Sequence, residues 1–259
     1  MNDAVKDKLP LLDFAAPGVL ELHPYELQRR LGVANAIKLA SNENPLGPSP
    51  KVKQALADAA QGNLALYPDD GGFRLKAKLA ALHGVEPSWI TVTNGSNTLL
   101  DLVARVFLGA GRAAMYSKYA FAVYPLVTLA QSAESVVVPA LAPDSAMPYG
   151  DDLEAMARML RPDVAVVFIA SPNNPTGTWV EPAAFERFMA RVPAKTLVVL
   201  DEAYHHFQDP DTRIDSDALM RRYPNLMITR TFSKVHGIAA LRVGYGVAHP
   251  QITDLLHRV

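Results

Sequence analysis

The stretch Val164-Ala-Val-Val-Phe-Ile-Ala-Ser-Pro-Asn-Asn-Pro-Thr-Gly177 decides the fold. It begins as an unbroken apolar run, which is typical of a strand buried on both faces of a parallel sheet, and continues as a loop rich in Pro and Asn. A second apolar run, Thr196-Leu-Val-Val-Leu200, is likewise followed by a polar segment, Asp201-Glu-Ala-Tyr204. Because open α/β sheets bind ligands at the carboxyl ends of their strands, both loops are predicted to border one site.

Downstream of residue 88, apolar runs alternate with amphipathic stretches. Strands are predicted at residues 89–93, 112–116, 135–139, 163–170, 196–200, 226–231 and 242–248. Helices are predicted at residues 99–107, 151–160 and 182–192, with another beginning near Pro250. This alternation predicts an α/β fold with a mostly parallel central sheet and helices on both faces.

Upstream of residue 88 the patterns are shorter. Residues 24–31 read as a helix that begins with a proline, and residues 37–40 as a short strand. Amphipathic helices are predicted at residues 49–60 and 73–82, the second ended by Gly84 as a C-cap.

Length and composition narrow the class of protein. The chain has 259 residues, 49% of them hydrophobic and 20% charged, which is ordinary for a globular protein with a large core. A formal net charge of −1 predicts no general affinity for nucleic acid or for an anionic membrane. With no cysteine there is no disulfide framework and no thiolate metal site, and no apolar run approaches the roughly 20 residues of a membrane span. A cytoplasmic enzyme that acts on small molecules fits all of these properties, although composition alone does not select it.

A third segment, Thr231-Phe-Ser-Lys234, follows another predicted strand and precedes Arg242. A lysine can form a Schiff base, and an aspartate such as Asp201 can pair with a protonated pyridine nitrogen. Hydroxyl groups and a guanidinium can hold a phosphate. Pyridoxal 5′-phosphate (PLP) needs all of these groups, so the three segments together predict a PLP site.

The three segments resemble the fold-type-I PLP-dependent aminotransferases, and specifically the histidinol-phosphate aminotransferases. The resemblance runs from about residue 37 to the last residue. Further matching segments are Ser41-Asn-Glu-Asn-Pro-Leu-Gly-Pro48, Leu66-Tyr-Pro-Asp69, Thr93-Asn-Gly-Ser-Asn97, Ala120-Phe-Ala-Val-Tyr124 and Leu241-Arg-Val-Gly-Tyr-Gly246. The resemblance implies a three-layer large domain at residues 46–259. It implies an N-terminal arm and small-domain segment at residues 1–45, and we expect the C-terminal part of the small domain to be absent.

The resemblance also assigns roles at the cofactor. Lys234 is the lysine that binds PLP and moves the proton of the substrate, and Asp201 faces the pyridine nitrogen. Tyr204 and Asn174 match the positions that bind the phenolic oxygen, and Phe121 matches the aromatic residue that stacks on the ring. These five residues form the predicted catalytic and ring-binding set.

The phosphate is expected at the start of a helix, where backbone N–H groups and the positive helix end can receive an anion. The residues predicted to bind it are Gly95, Ser96, Asn97, Thr231, Ser233 and Arg242. Tyr67 matches a residue that reaches the phosphate from the neighbouring subunit, so the resemblance implies a homodimer with shared sites. Asn44 is the candidate substrate residue.

The implied reaction is transamination between L-histidinol phosphate or imidazole-acetol phosphate and the glutamate/2-oxoglutarate pair, a step of histidine biosynthesis. The alternatives are an aromatic amino-acid aminotransferase, a PLP-dependent decarboxylase of a phosphorylated amino acid, or an inactive fragment of such an enzyme. No metal site is predicted, because the adjacent His205 and His206 point in different directions and lack a third ligand. Glu202 and Tyr124 are interpreted as structural residues.

Overall fold

The computed structural model describes residues 15–22, 37–69 and 71–259. The predicted helix at residues 24–31 lies outside them. The strands are β1 Ile90–Thr93, β2 Ala113–Ser117, β3 Glu134–Val138, β4 Val164–Ala170, β5 Leu197–Asp201, β6 Leu226–Thr231 and β7 Gly244–Val247. All seven predicted strands between residues 89 and 248 are therefore confirmed to within a few residues.

The described residues also form helices, most of which pack on the sheet. They are α1 Pro17–Leu20, α2 Pro50–Ala60, α3 Phe73–His83, α4 Ser96–Phe107, α5 Val123–Ala130, α6 Leu153–Met159, α7 Pro182–Met189, α8 Ser216–Arg222 and α9 Pro250–Leu256. Gly84 ends α3 with φ +60°, as expected of a glycine C-cap. The sequence patterns do not predict helices α1, α5 and α8; α1 has only four residues, and α5 is apolar almost throughout, so it lacks an amphipathic pattern.

The sheet has the strand order β1-β7-β6-β5-β4-β2-β3. Strands β3, β2, β4, β5 and β6 are parallel to one another, whereas β7 is antiparallel to both β6 and β1. The reversal follows from the connection at residues 232–243, which contains no α-helix and returns beside the strand that it leaves. This connection carries Lys234 and Arg242. Because the chain turns back after β6, both residues lie near the end of that strand.

Two hydrophobic clusters fill the space on the two sides of the sheet. Along β4, Val167 and Ile169 pack in one cluster, and Val166 and Phe168 pack in the other. Strand side chains alternate between faces, so a strand with both sets buried must be covered on both sides. The structure thus confirms a three-layer α/β fold with a mostly parallel sheet.

One element differs from the prediction. Residues 37–40 form no strand; a 3-10 turn at Ala40–Asn42 follows three residues that belong to no regular element. Ile37 and Leu39 are 85% and 87% exposed, so their apolar side chains, which favoured a strand, have no sheet to pack on in the described part of the chain. The side of α2 expected to be buried is likewise open, since none of its residues is buried.

Candidate active site

A cavity of about 610 Å³ opens at the carboxyl ends of β4, β5 and β6. Its walls also include the first residues of α4, the connection between β6 and β7, and the turn at Ser41–Glu43. The residues that line it are Ser41, Asn42, Glu43, Ser96, Asn97, Phe121, Ala170, Pro172, Asn174, Asp201, Ala203, Tyr204, Thr231, Ser233, Lys234, Ala239, Ala240 and Arg242. Ten of the thirteen residues predicted for the site therefore meet in one cavity, as expected of the switch-point edge of an open α/β sheet.

Asp201 is the last residue of β5, and only 4% of its surface is exposed. Its Oδ1 accepts hydrogen bonds from Thr229 Oγ1 at 3.0 Å and from the Ala203 N–H at 3.2 Å, and its Oδ2 accepts one from the Tyr124 hydroxyl at 3.0 Å. Burial raises the pKa of Asp201, although the hydrogen bonds from Tyr124 and Thr229 oppose that shift. Among the described residues no Lys, Arg or His forms an ion pair with this carboxylate. A buried carboxylate without a cation is costly, so the site is suited to a ligand with a positive charge at this point.

Lys234 reaches into the cavity from the connection between β6 and β7. Its Nζ donates to the carbonyl oxygen of Ser41 at 2.7 Å and lies 5.4 Å from the ring centroid of Tyr204. The Tyr204 hydroxyl accepts a hydrogen bond from Asn42 Nδ2 at 3.0 Å. Ser41 and Asn42 adopt φ values of 76° and 51°, which are uncommon for residues other than glycine. The turn at residues 41–42 is thus held against the amine and the phenol.

The start of α4 forms a second corner of the cavity together with Arg242. A Cβ on Gly95, which has φ +88°, would lie 2.4 Å from Arg242 Nη2, and one on Gly244 would lie 2.4 Å from the Ser96 nitrogen. Only glycines let the helix, β7 and the guanidinium approach so closely. Arg242 Nη1 donates to Ala239 O at 3.0 Å and to Ser233 Oγ at 3.4 Å. Helix N–H groups, a guanidinium and hydroxyls make this corner suited to an anion.

Two hydroxyl groups connect the corner to the sheet. Thr231 Oγ1 donates to Ser233 Oγ at 3.0 Å and accepts from the Ser233 N–H at 3.1 Å. Both residues are buried, so their hydroxyls are held in place beside Arg242. The corner therefore presents a fixed set of donors.

Three predicted residues lie outside the cavity lining. Gly95 is the N-cap of α4 and directly precedes the lining residue Ser96. Tyr67 is 99% exposed and is not among the lining residues. Asn44 is not among the lining residues; its Nδ2 donates to Val235 O at 2.9 Å and its Oδ1 accepts from the Leu46 N–H. Asn42, two residues earlier, is the asparagine of this loop that lines the cavity.

Sequence reasoning missed the two side chains that hold Asp201. Thr229 could have been found, because it lies two residues before Thr231 on the same face of β6 and pairs in register with Asp201. Tyr124 was interpreted only as a packing residue, and no sequence signal points its hydroxyl at a residue 77 positions away.

Glu202 and the nearby histidines form a separate cluster beneath the site. Glu202 is buried and its Oε2 accepts from Arg230 Nε at 2.8 Å. Burial alone would raise the pKa of Glu202, but His205 and the charge of Arg230 bring it below the usual value. Burial and the charges of His205 and Arg230 lower the pKa of His206 to about 4. In the part of the chain that the structure describes, no group of three or more His, Cys, Asp or Glu residues is placed to hold a metal ion.

None of the helices in residues 15–22, 37–69 and 71–259 is both long enough and apolar enough to cross a membrane. The comparison with protein families matches residues 34–259 to a single model, described as aminotransferase class I and II.

Individual proteins agree with the family match. The chain is 50% identical over 236 residues to histidinol-phosphate aminotransferase 1 of Cupriavidus pinatubonensis, covering 90% of this chain and 61% of that protein. It is 51% identical over 257 residues to histidinol-phosphate aminotransferase of Stutzerimonas stutzeri, covering 96% of this chain and 68% of that protein. The crystal structure of histidinol-phosphate aminotransferase from Sinorhizobium meliloti in complex with pyridoxal-5′-phosphate superposes with a TM-score of 0.83 at 28% identity. That superposition covers 99% of this chain and 67% of the other. The chain thus spans about three fifths to two thirds of the length of these relatives.

Proposed function

The chain belongs to the family of class I and II aminotransferases, and we propose that it binds PLP in the 610 Å³ cavity. We further propose that it transfers an amino group between L-histidinol phosphate or imidazole-acetol phosphate and the glutamate/2-oxoglutarate pair. The observation that supports this most is Asp201, a carboxylate that is 4% exposed, borders the cavity and has no cation partner in the described residues. The protonated pyridine nitrogen of PLP would supply that cation.

The residues present fit the rest of the cofactor. Asn174 and Tyr204 offer an amide and a phenol for the phenolic oxygen, and Phe121 offers a ring face beside them. The corner formed by the start of α4, Ser233 and Arg242 offers donors for the phosphate. When bound, the cofactor supplies an electron sink for the carbanion that forms when the substrate loses its α-proton.

Lys234 is proposed as the catalytic residue. Its amine is held at the cavity by the Ser41 carbonyl, and it lies above the Tyr204 ring. An amine in this place can form the covalent link to the cofactor aldehyde and, once released, can take and return the substrate proton. Tyr204 would orient both the amine and the phenolic oxygen.

Two relatives that are about half identical to this chain are named histidinol-phosphate aminotransferases, which supports that substrate pair over aromatic amino acids. Asn44 remains the candidate substrate residue from the sequence, and we propose that Asn42, which lines the cavity, also contacts the substrate. We assign residues 46–259 to the large PLP-binding domain and residues 1–45 to the N-terminal arm and small-domain segment.

A second copy of the chain is the proposed partner. Ile37, Leu39, Leu46, Leu64, Leu66 and Tyr67 are between 71% and 99% exposed. Apolar side chains grouped on one stretch of chain are typical of a surface covered by another subunit. In such a homodimer Tyr67 would reach the phosphate corner of the neighbouring copy, so that both copies contribute to each site.

A single-turnover experiment tests the proposed reaction. The chain is loaded with PLP and mixed with L-histidinol phosphate, L-phenylalanine or L-threonine phosphate, and the cofactor absorbance is followed together with CO₂ release. We expect L-histidinol phosphate to react fastest, with imidazole-acetol phosphate formed and no CO₂ released. A faster reaction with phenylalanine, or CO₂ from threonine phosphate, would replace the proposed substrate by one of the alternatives.

A further inference from the structure

Tyr124 occupies a fully buried position between the cavity and the core. Its ring stacks on Phe168 with centroids 4.8 Å apart and an angle of 8°, and it meets Phe121 edge-on at 5.8 Å. The hydroxyl at the end of this fixed ring donates to Asp201 Oδ2 at 3.0 Å. Burial and the charge of Asp201 raise the pKa of Tyr124 well above its ordinary value, so the phenol keeps its proton and remains a donor.

The two oxygens of Asp201 are held unequally. Among the described residues, Oδ1 accepts from two donors, the Thr229 hydroxyl and the Ala203 N–H, whereas Oδ2 accepts from Tyr124 alone. A carboxylate oxygen accepts more than one hydrogen bond, so Oδ2 is the oxygen with capacity left for a donor in the cavity. Removing Tyr124's donor would leave this oxygen more basic, and a proton shared with a cavity ligand would then move to the carboxylate.

We propose that Tyr124 is a positioning residue for the cofactor reaction: by donating to Oδ2 of Asp201 it aims this carboxylate into the cavity and keeps the shared proton on the ring nitrogen. This inference rests on the proposed function, because it takes PLP as the occupant. Tyr124 contacts both Phe121, which stacks on the cofactor ring, and Asp201, which faces the ring nitrogen. One residue therefore fixes both of these side chains.

Other titratable groups lie close enough to Tyr124 and Asp201 to affect their pKa values. Burial raises the pKa of Asp151 to about 6, and this carboxyl also acts on Tyr124, while Glu202 acts on Asp201. Tyr116 lies 6.5 Å from Tyr124 in the same hydrophobic cluster and forms no hydrogen bond with Asp201. Tyr116→Phe therefore leaves Asp151, Asp201 and Glu202 in place and serves as the matched control.

The first test uses the protein without cofactor. Tyr124→Phe keeps the ring stack and removes one oxygen, so we expect it to fold. Because burial raises the pKa of Asp201, its contribution to stability is full at low pH and is lost as the pH rises through the folded pKa. Loss of the donor raises that pKa further. We expect the unfolding constant of Tyr124→Phe relative to wild type to grow about tenfold between pH 4.5 and 8, and this growth to vanish in the Asp201→Asn background.

The second test reads the ring nitrogen directly. With ¹⁵N-labelled PLP bound, the nitrogen signal of Tyr124→Phe should move toward the position of neutral pyridine, while Tyr116→Phe should keep the wild-type signal. If wild type binds no PLP, the proposed function fails, yet the cofactor-free test still decides whether Tyr124 acts through Asp201. A loss of stability that is independent of pH, or that is equal in the Tyr116→Phe control, would overturn the inference.

Discussion

Two parts of the molecule that face the same cavity are built in different ways. The strand-end wall, which comprises Asp201, Thr231, Ser233 and Lys234, stands on buried strands and is fixed by hydrogen bonds within the chain. The exposed segment, residues 37–67, contributes the turn at Ser41–Glu43 to the cavity but buries almost none of its own side chains. The chemistry of the site is thus placed by the core of the chain, and the cover of the site depends on what packs on the exposed segment.

The largest expected effect concerns the strand-end wall. Lys234→Ala should lower turnover by about 10³-fold or more, because in the part of the chain that the structure describes no other amine lines the cavity to bind the cofactor and move the proton. Lys234 is only partly buried, so thermal unfolding should change little. Steady-state kinetics and a melting curve check both statements.

Lys118→Ala is the control for this change, since Lys118 is exposed and lies outside the cavity lining. It should retain wild-type turnover. Equal losses in the two variants would mean that the wall does not hold the catalytic amine.

The next effect is the pH dependence that Asp201 imposes. Its folded pKa is raised by burial, so folding binds its proton more tightly, and stability falls as the pH rises through the folded pKa. The loss is about 1.4 kcal/mol for each unit by which that pKa exceeds 3.8. Asp201→Asn should remove this slope in the cofactor-free protein and lower turnover by on the order of 10²-fold, because an amide cannot keep the ring nitrogen protonated. Urea unfolding between pH 4 and 8 gives the slope; an unchanged slope in the variant would show that another group controls it.

The strand-end wall was largely readable from the sequence, and the reason is physical. Apolar runs such as residues 164–169 can be stable only with both faces covered, so they fix the sheet, and the polar residues that follow them must meet at its edge. Lys234 and Asp201 were placed in this way. Of the two side chains that hydrogen-bond to Asp201, Thr229 follows from the register of β5 with β6, whereas Tyr124 lies 77 residues away and its contact depends on packing that no local pattern encodes.

The exposed segment was predicted less well for the opposite reason. Residues 37–40 are apolar enough for a strand, but a strand needs a neighbour, and the described chain offers none. Asn44 is the candidate substrate residue from its position in the matching loop, but it is absent from the cavity lining, and its side chain forms hydrogen bonds with the backbone of Val235 and Leu46.

The smallest expected effect tests the proposed cover of the exposed segment. Leu66→Asp should weaken association of two copies by about tenfold or more, since burying a leucine contributes about 1.5–3 kcal/mol and a buried carboxylate is costly. Leu82→Asp changes an equally exposed leucine outside the segment and should leave association unchanged. Sedimentation equilibrium over a range of concentrations measures both. A wild-type chain that stays monomeric at all concentrations would contradict the proposed homodimer.

The position at which PLP becomes attached tests the proposed cofactor site most directly. The chain is incubated with PLP, reduced with borohydride, digested, and mapped by mass spectrometry. We expect one pyridoxyl group for each chain, on Lys234, and no specific labelling of the Lys234→Ala variant. A pyridoxyl group on another lysine while Lys234 stays unmodified would contradict the assignment of the strand-end wall as the cofactor site.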